Sequence, residues 1–246
     1  MEVQIAAAKI NKYAVSESGD TLEVVERPHG GISVVLAGGD SKVVSMMVVR
    51  KVIGLLAEGV RDGAAARAAS EHLFTEKDGQ ASCTLNIASI DLETKTVVLV
   101  SNNPLPVFVM RGENIDALNM GSQPLGVERS TRPIITEIPL EVGLTVVVFT
   151  DGLMHAGERD APGPVDWHPR QAGGQSLPMD IPITLHGLLD ENDPTPQEVA
   201  DALLAQALRL DDNRPAGDIS VVVLRVMPSN GDEARRMSLR LPIELG

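Results

Sequence analysis

A chain of 246 residues is long enough to bury a substantial core in one large domain or two small ones. Its net charge of −13 and its 2% aromatic content exclude a nucleic-acid partner, which would need a basic face and rings to stack on bases. With 43% hydrophobic residues the core must be built from Val, Leu, Ile, Ala and Met. The single cysteine, Cys83, excludes an internal disulfide and a cysteine zinc site, and its strand-like surroundings predict a buried, inert thiol. No basic segment followed by a long apolar one opens the sequence, and no uncharged apolar run reaches ~18 residues. The expected address is therefore the cytoplasm, with no membrane partner.

In chain order, three strands are predicted first, at 3–15, 21–27 and 32–37. A helix follows over 41–58, with Val44, Met47, Val48, Val52, Leu55 and Leu56 on one stripe and Gly59 at its C-terminal stop. Asp62 is placed to cap an alanine-rich helix over 63–74. The middle of the chain reads as short strands at 81–91, 96–100, 107–110, 134–138 and 144–150, separated by turn signals that include 111–114. Residues 157–182 form a long Gly- and Pro-rich loop carrying Trp167 and His168, either a mobile flap or partly disordered. Thr195-Pro196-Gln197-Glu198 has the pattern of a capping box opening a helix to about residue 210. A last core strand spans 218–226, and the tail at 229–246 can add an edge strand at 237–241. Blocks of strands and helices, rather than strict alternation, predict an α+β fold.

Three acids stand at the ends of apolar runs. They are Asp20 in Glu17-Ser18-Gly19-Asp20, Asp151 in Phe149-Thr150-Asp151-Gly152, and Asp218 in Pro215-Ala216-Gly217-Asp218-Ile219-Ser220. Each alone is an ordinary turn residue. Together they suggest one carboxylate cluster of the kind that holds Mg²⁺ or Mn²⁺.

These segments, with Ile32 to Gly39, Asn102-Asn103-Pro104-Leu105-Pro106 and Pro124-Leu125-Gly126, occur in an order that resembles the PPM-type metal-dependent serine/threonine phosphatases in their bacterial SpoIIE-like branch. The resemblance implies a four-layer α-β-β-α sandwich of two antiparallel sheets flanked by helices, over 1–228, with 229–246 as a C-terminal extension. It also implies hydrolysis of phosphoserine or phosphothreonine by a two-ion Mn²⁺ or Mg²⁺ centre. The implied partner is a phosphorylated regulatory protein, similar to an anti-sigma-factor antagonist or a stressosome protein. Carried over position by position, Asp20 and Asp151 match the family's metal ligands, and Gly39 offers its backbone carbonyl. Gly38 and Gly217 stand where two further aspartates are expected. Asp40 and Asp218 are the neighbours that could replace them, Asp218 only by a change of strand register. The expectation is one weakly held ion or none. Activity would then be weak or impaired, or the chain would be an inactive binding module for partner-switching signalling.

Among the other candidates, His155 could donate to a leaving oxygen or be an ordinary loop histidine. His29 reads as an exposed turn residue, His72 and His186 as structural helix residues. Lys42 and Arg50 could attract phosphate or simply face solvent.

Overall fold

The computed structural model describes residues 1–118, 121–158, 179–191, 194–229, 231 and 235–236. Its strands form two antiparallel five-stranded sheets. The first contains, side by side, β1 (Glu2–Ile10), β10 (Ile219–Met227), β9 (Leu144–Phe149), β6 (Val107–Arg111) and β7 (Asn114–Leu118). The second contains β2 (Thr21–Glu26), β3 (Ile32–Gly39), β4 (Cys83–Asp91), β5 (Thr96–Asn102) and β8 (Ile134–Pro139).

Strand periodicity explains the layers. On β3, Val34 and Leu36 point between the sheets, where they meet Val146, Val148, Val222 and Leu224. Val35 and Ala37 point the other way, under α1 (Lys42–Ala57) and α2 (Asp62–Lys77). Val147 and Phe149 likewise turn outward, beneath α4 (Ile181–Glu191) and α5 (Pro196–Leu210). Strands buried on both faces must be apolar at every position, which is why these runs lack alternation. Each fully buried aliphatic side chain contributes about 1.5–3 kcal/mol. The result is the α-β-β-α sandwich.

The helix ends follow their sequence signals, with one exception. Gly59 takes φ +85°, and Val60 N–H reaches back to the Leu55 carbonyl at 3.0 Å, closing α1. The capping box of α5 forms in full between Thr195 and Glu198. Asp62, however, is not the cap of α2. Arg61 holds that position and Asp62 is the first helical residue, because its carboxylate is taken by Arg27 at 2.5 Å and by the Ser89 hydroxyl.

Two further expectations need correction. β7 lies where a turn ending at residue 114 was expected, with nothing after it. Residues 111–114 are a tight hairpin, with Gly112 at φ +57°, and the chain returns through Asn114–Leu118. That strand is an edge with only Ile115 and Leu118 partly buried, so its sequence carries little strand signal. β1 also stops at Ile10, five residues before the expected end, since residue 10 is the last opposite β10. Most of the predicted loop at 157–182, with Trp167 and His168, lies outside the described residues, as does the predicted edge strand at 237–241. Its end belongs instead to α4, which begins at Ile181. No helix among the described residues is long and apolar enough to cross a membrane.

Candidate functional site

The ends of β1, β2, β3, β9 and β10 meet around Asp20. Its side chain is 4% exposed, and one carboxylate oxygen accepts from the Thr150 hydroxyl at 2.8 Å and the Ser220 hydroxyl at 2.7 Å. Those two hydroxyls are held in turn by the β9–β10 ladder. Thr150 N–H bonds the Ser220 carbonyl at 3.0 Å, and Ser220 N–H bonds the Thr150 hydroxyl at 2.9 Å. Burial pushes the Asp20 carboxyl up to about 6, against the pull of the two hydroxyl bonds and of Lys9; Asp218 adds to the rise.

Asp218 lies close by but faces a different task. One of its oxygens accepts Lys12 N–H at 2.8 Å and the other accepts Gly19 N–H at 2.7 Å. It thereby pins the loop that leads into Asp20. Asp151 opens the single helical turn α3 (Asp151–Met154), exposed to solvent. Asp40 is also exposed, in the bend between β3 and α1.

Position 38 is crowded. A Cβ there would lie 2.9 Å from the Thr84 hydroxyl and 3.2 Å from an Asp20 carboxylate oxygen. An acid at 38 would thus stand beside Asp20, but only if Thr84, which donates to the Gly38 carbonyl at 3.2 Å, moved aside. Position 217 is open, its nearest neighbour being the Gly152 Cα at 3.5 Å. Gly39 sits directly against Gly19, whose own Cβ would come within 2.3 Å of the Gly39 carbonyl oxygen.

The positive charge near Asp20 comes from lysines. Lys9 and Lys42 both donate to the Asp20 backbone carbonyl, at 2.7 and 2.8 Å. Lys9 lies opposite Ser220 in the β1–β10 register, and Lys42 is the first residue of α1. Desolvation, with the neighbouring Lys42 charge, holds the Lys9 amine below its ordinary value, while Asp20 and Asp218 oppose the shift.

Among the described residues no group of three or more His, Cys, Asp or Glu side chains is placed to hold a metal ion. Asp20 is tied to two hydroxyls, Asp218 to two amides, and Asp40 and Asp151 are exposed to solvent. As placed, these donors do not fit a bridged pair of divalent ions, which needs several carboxylates converging on one point.

Sequence reasoning passed over Lys9, Thr84, Thr150 and Ser220. Thr150 and Ser220 sit inside the motifs already singled out, each one or two residues from the acid that drew attention. Lys9 has no local signal; only the register of two strands at opposite ends of the sequence brings it here. His155 bonds Glu158 through Nδ1 at 2.7 Å. Asn103 shapes its turn by accepting Leu105 N–H at 3.0 Å. Cys83 is buried, and desolvation pushes its thiol up to about 12, so it is inert.

A two-sheet sandwich with helices on both outer faces and loop acids at its strand ends is the fold of PP2C-type phosphatase domains. The structure superposes on the PP2C phosphatase domain and regulatory-domain fragment of SpoIIE from Bacillus subtilis with a TM-score of 0.74 at 19% identity, covering 92% of this chain and 63% of that one. It also superposes on a serine/threonine phosphatase from Staphylococcus aureus with a TM-score of 0.68 at 12% identity, covering 93% of this chain and 96% of that one. The chain belongs to the Stage II sporulation protein E (SpoIIE) family, whose profile matches residues 37–227. Stage II sporulation protein E of Bacillus subtilis (strain 168) is 22% identical over 172 residues, 70% of this chain but 19% of that protein. The present chain therefore spans about a fifth of that relative's length.

Proposed function

We propose that this SpoIIE-family phosphatase domain engages phosphoserine or phosphothreonine on a regulatory partner protein and hydrolyses it weakly or not at all. The partner class comes from the family resemblance, as a protein similar to an anti-sigma-factor antagonist or a stressosome component. The observation that carries the reading is the sparse carboxylate set around Asp20. Among the described residues it is the buried acid at this end of the strands, its neighbour Asp218 is bonded to two backbone amides, and the candidate positions 38 and 217 are glycine. In-line attack by an activated water needs charge stabilisation on both the attacking and leaving oxygens. A lone carboxylate bonded to two hydroxyls supplies neither. Among the described residues the acidic donors do not gather around a common point, as a bridged pair of Mn²⁺ or Mg²⁺ ions would require.

The test is turnover of p-nitrophenyl phosphate and of a phosphoserine peptide with millimolar Mn²⁺. The unaltered chain is expected to fall well below ~1 per second, and a rate at or above that overturns the reading. The geometry also dictates the gain-of-function design. Gly217→Asp fits as it stands, whereas Gly38→Asp requires Thr84→Ala to clear the hydroxyl from its Cβ. Activity that rises from baseline in the triple variant supports the missing carboxylates as the cause.

A further inference from the structure

We propose that Tyr13 and Arg214 form a recognition ledge that reads the partner protein beside its phosphorylated residue, taking a carboxylate against Arg214 and an aliphatic side chain against Tyr13 and Val15. Two loops build it, one leading from β1 to Asp20 and one from α5 to β10. Asp218 clamps the first loop through Lys12 N–H and Gly19 N–H, the residues next to Tyr13 and to Asp20. Tyr13 N–H bonds the Pro215 carbonyl at 2.9 Å and joins the two loops directly. Each loop also closes a turn of its own. Val15 N–H reaches the Lys12 carbonyl at 3.1 Å across Ala14, at φ +60°. Arg214 N–H reaches the Asp211 carbonyl at 2.9 Å across Asp212 and Asn213, at φ +51° and +58°. Such backbone is uncommon outside glycine, and here it fixes where Tyr13 and Arg214 stand.

What these locked loops present is open to solvent. Tyr13, the only tyrosine in the sequence, is 54% exposed, and Val15 is 44% exposed. A rigid aromatic on a braced loop loses little entropy when a partner covers it. The Arg214 guanidinium lies 5.3 Å from the centre of the Tyr13 ring, which orients the cation without neutralising it. Among the described residues no carboxylate is within ion-pair distance of Arg214; the pairs there are made by Arg27, Arg111 and His155. Acids share its loop, but Asp211 accepts Gly157 N–H and Asp218 accepts its two amides. The planar fork is therefore left for a carboxylate from outside the chain, which two parallel N–H donors can hold. Asp20 is buried and the ledge is on the surface, so one bound segment would meet them with different residues. The net charge of −13 repels an acidic segment at long range, so the preference is a contact effect, about tenfold for carboxylate over ammonium.

This proposal rests on the phosphoprotein reading, and its test separates the two. Fluorescence anisotropy of the full chain is measured with labelled phosphoserine peptides carrying Glu, Gln or Lys at each neighbouring position, and with unphosphorylated copies. The parent should favour Glu over Lys about tenfold at one position. Arg214→Glu should reverse that order and Arg214→Gln should abolish it. Tyr13→Ala, which takes the ring from under the guanidinium, should weaken the preference, and Tyr13→Phe should retain it. Lys77→Gln on α2 should leave it unchanged. Melting curves confirm that the variants fold. A role confined to bracing the loops would not produce the reversal. No preference in the parent, or the same preference in Arg214→Glu, overturns the ledge and leaves the phosphoprotein reading intact. A Glu preference kept with equal affinity for the unphosphorylated copies supports the ledge and overturns the phosphoprotein reading. Binding of no peptide at all overturns both.

Discussion

The two ends of β2 treat charge in opposite ways. At the far end, Arg27 meets Asp62 at 2.5 Å, donates also to the Val60 carbonyl at 3.0 Å, and Asp62 takes a further bond from Ser89, itself bonded to Ser33. The two largely buried charges there, Arg27 and Asp62, neutralise each other, and the network ties β2, β3 and β4 to the start of α2. At the near end, Asp20 is bonded to neutral hydroxyls, and two lysines share a neutral carbonyl. Matched charge marks a structural joint. At the near end the charges act on one another without direct ion pairs: Lys9 stands in the field of Asp20 and Asp218 while its hydrogen bond goes to a backbone carbonyl.

Removing one member of the matched pair gives the largest expected effect. Asp62→Ala leaves Arg27 largely buried without a counter-ion and should cost about 3–5 kcal/mol in urea unfolding. A cost under about 1 kcal/mol would break the contrast, because the far end would then be no more than a surface ion pair.

The near end should respond to pH instead. The folded carboxyl of Asp20 sits at about 6, above the 3.8 of an unperturbed aspartate. The native state therefore keeps a proton that the unfolded chain has already lost within that window. Stability from this group falls as pH rises from 3.8 to about 6 and stays lost above it. Asp20→Asn has no such dependence, so its stability relative to the parent should grow by about 2–3 kcal/mol between acid and neutral pH. A flat difference across calorimetric scans would show that Asp20 is not desolvated as described.

The smallest effect concerns slack. Gly217→Ala meets nothing closer than 3.5 Å and should change stability by no more than about 0.5 kcal/mol in the same unfolding assay. A large loss would mean that the near end is packed as tightly as the far one.

The layers were legible in the sequence because buried strands and amphipathic helices announce themselves by period, as the runs at Val34–Ala37 and Val146–Phe149 and the stripe on α1 illustrate. The edge strand β7 was not, since an edge exposed on most positions has no pattern to read. Asp20, Asp151 and Asp218 could be found because each ends an apolar run. Their different duties could not. Whether an acid faces hydroxyls, amides or solvent depends on pairings such as Lys9 with Ser220, which no local window contains. Asp62 failed as a cap for the same reason: its partners, Arg27 and Ser89, come from other strands.

The pairing of β1 with β10 has a consequence for biosynthesis. Residues 2–10 lie against residues 219–227, so β1 has no strand partner until β10, more than 200 residues later, has left the ribosome. Lys9, the Asp20 loop held by Asp218, and Ser220 come together only at that final step. The strands of the second sheet and its two helices all lie before residue 140, so they can emerge while Asp20 still lacks Ser220 and Asp218. The surroundings of Asp20 are therefore complete only once β10 has paired with β1.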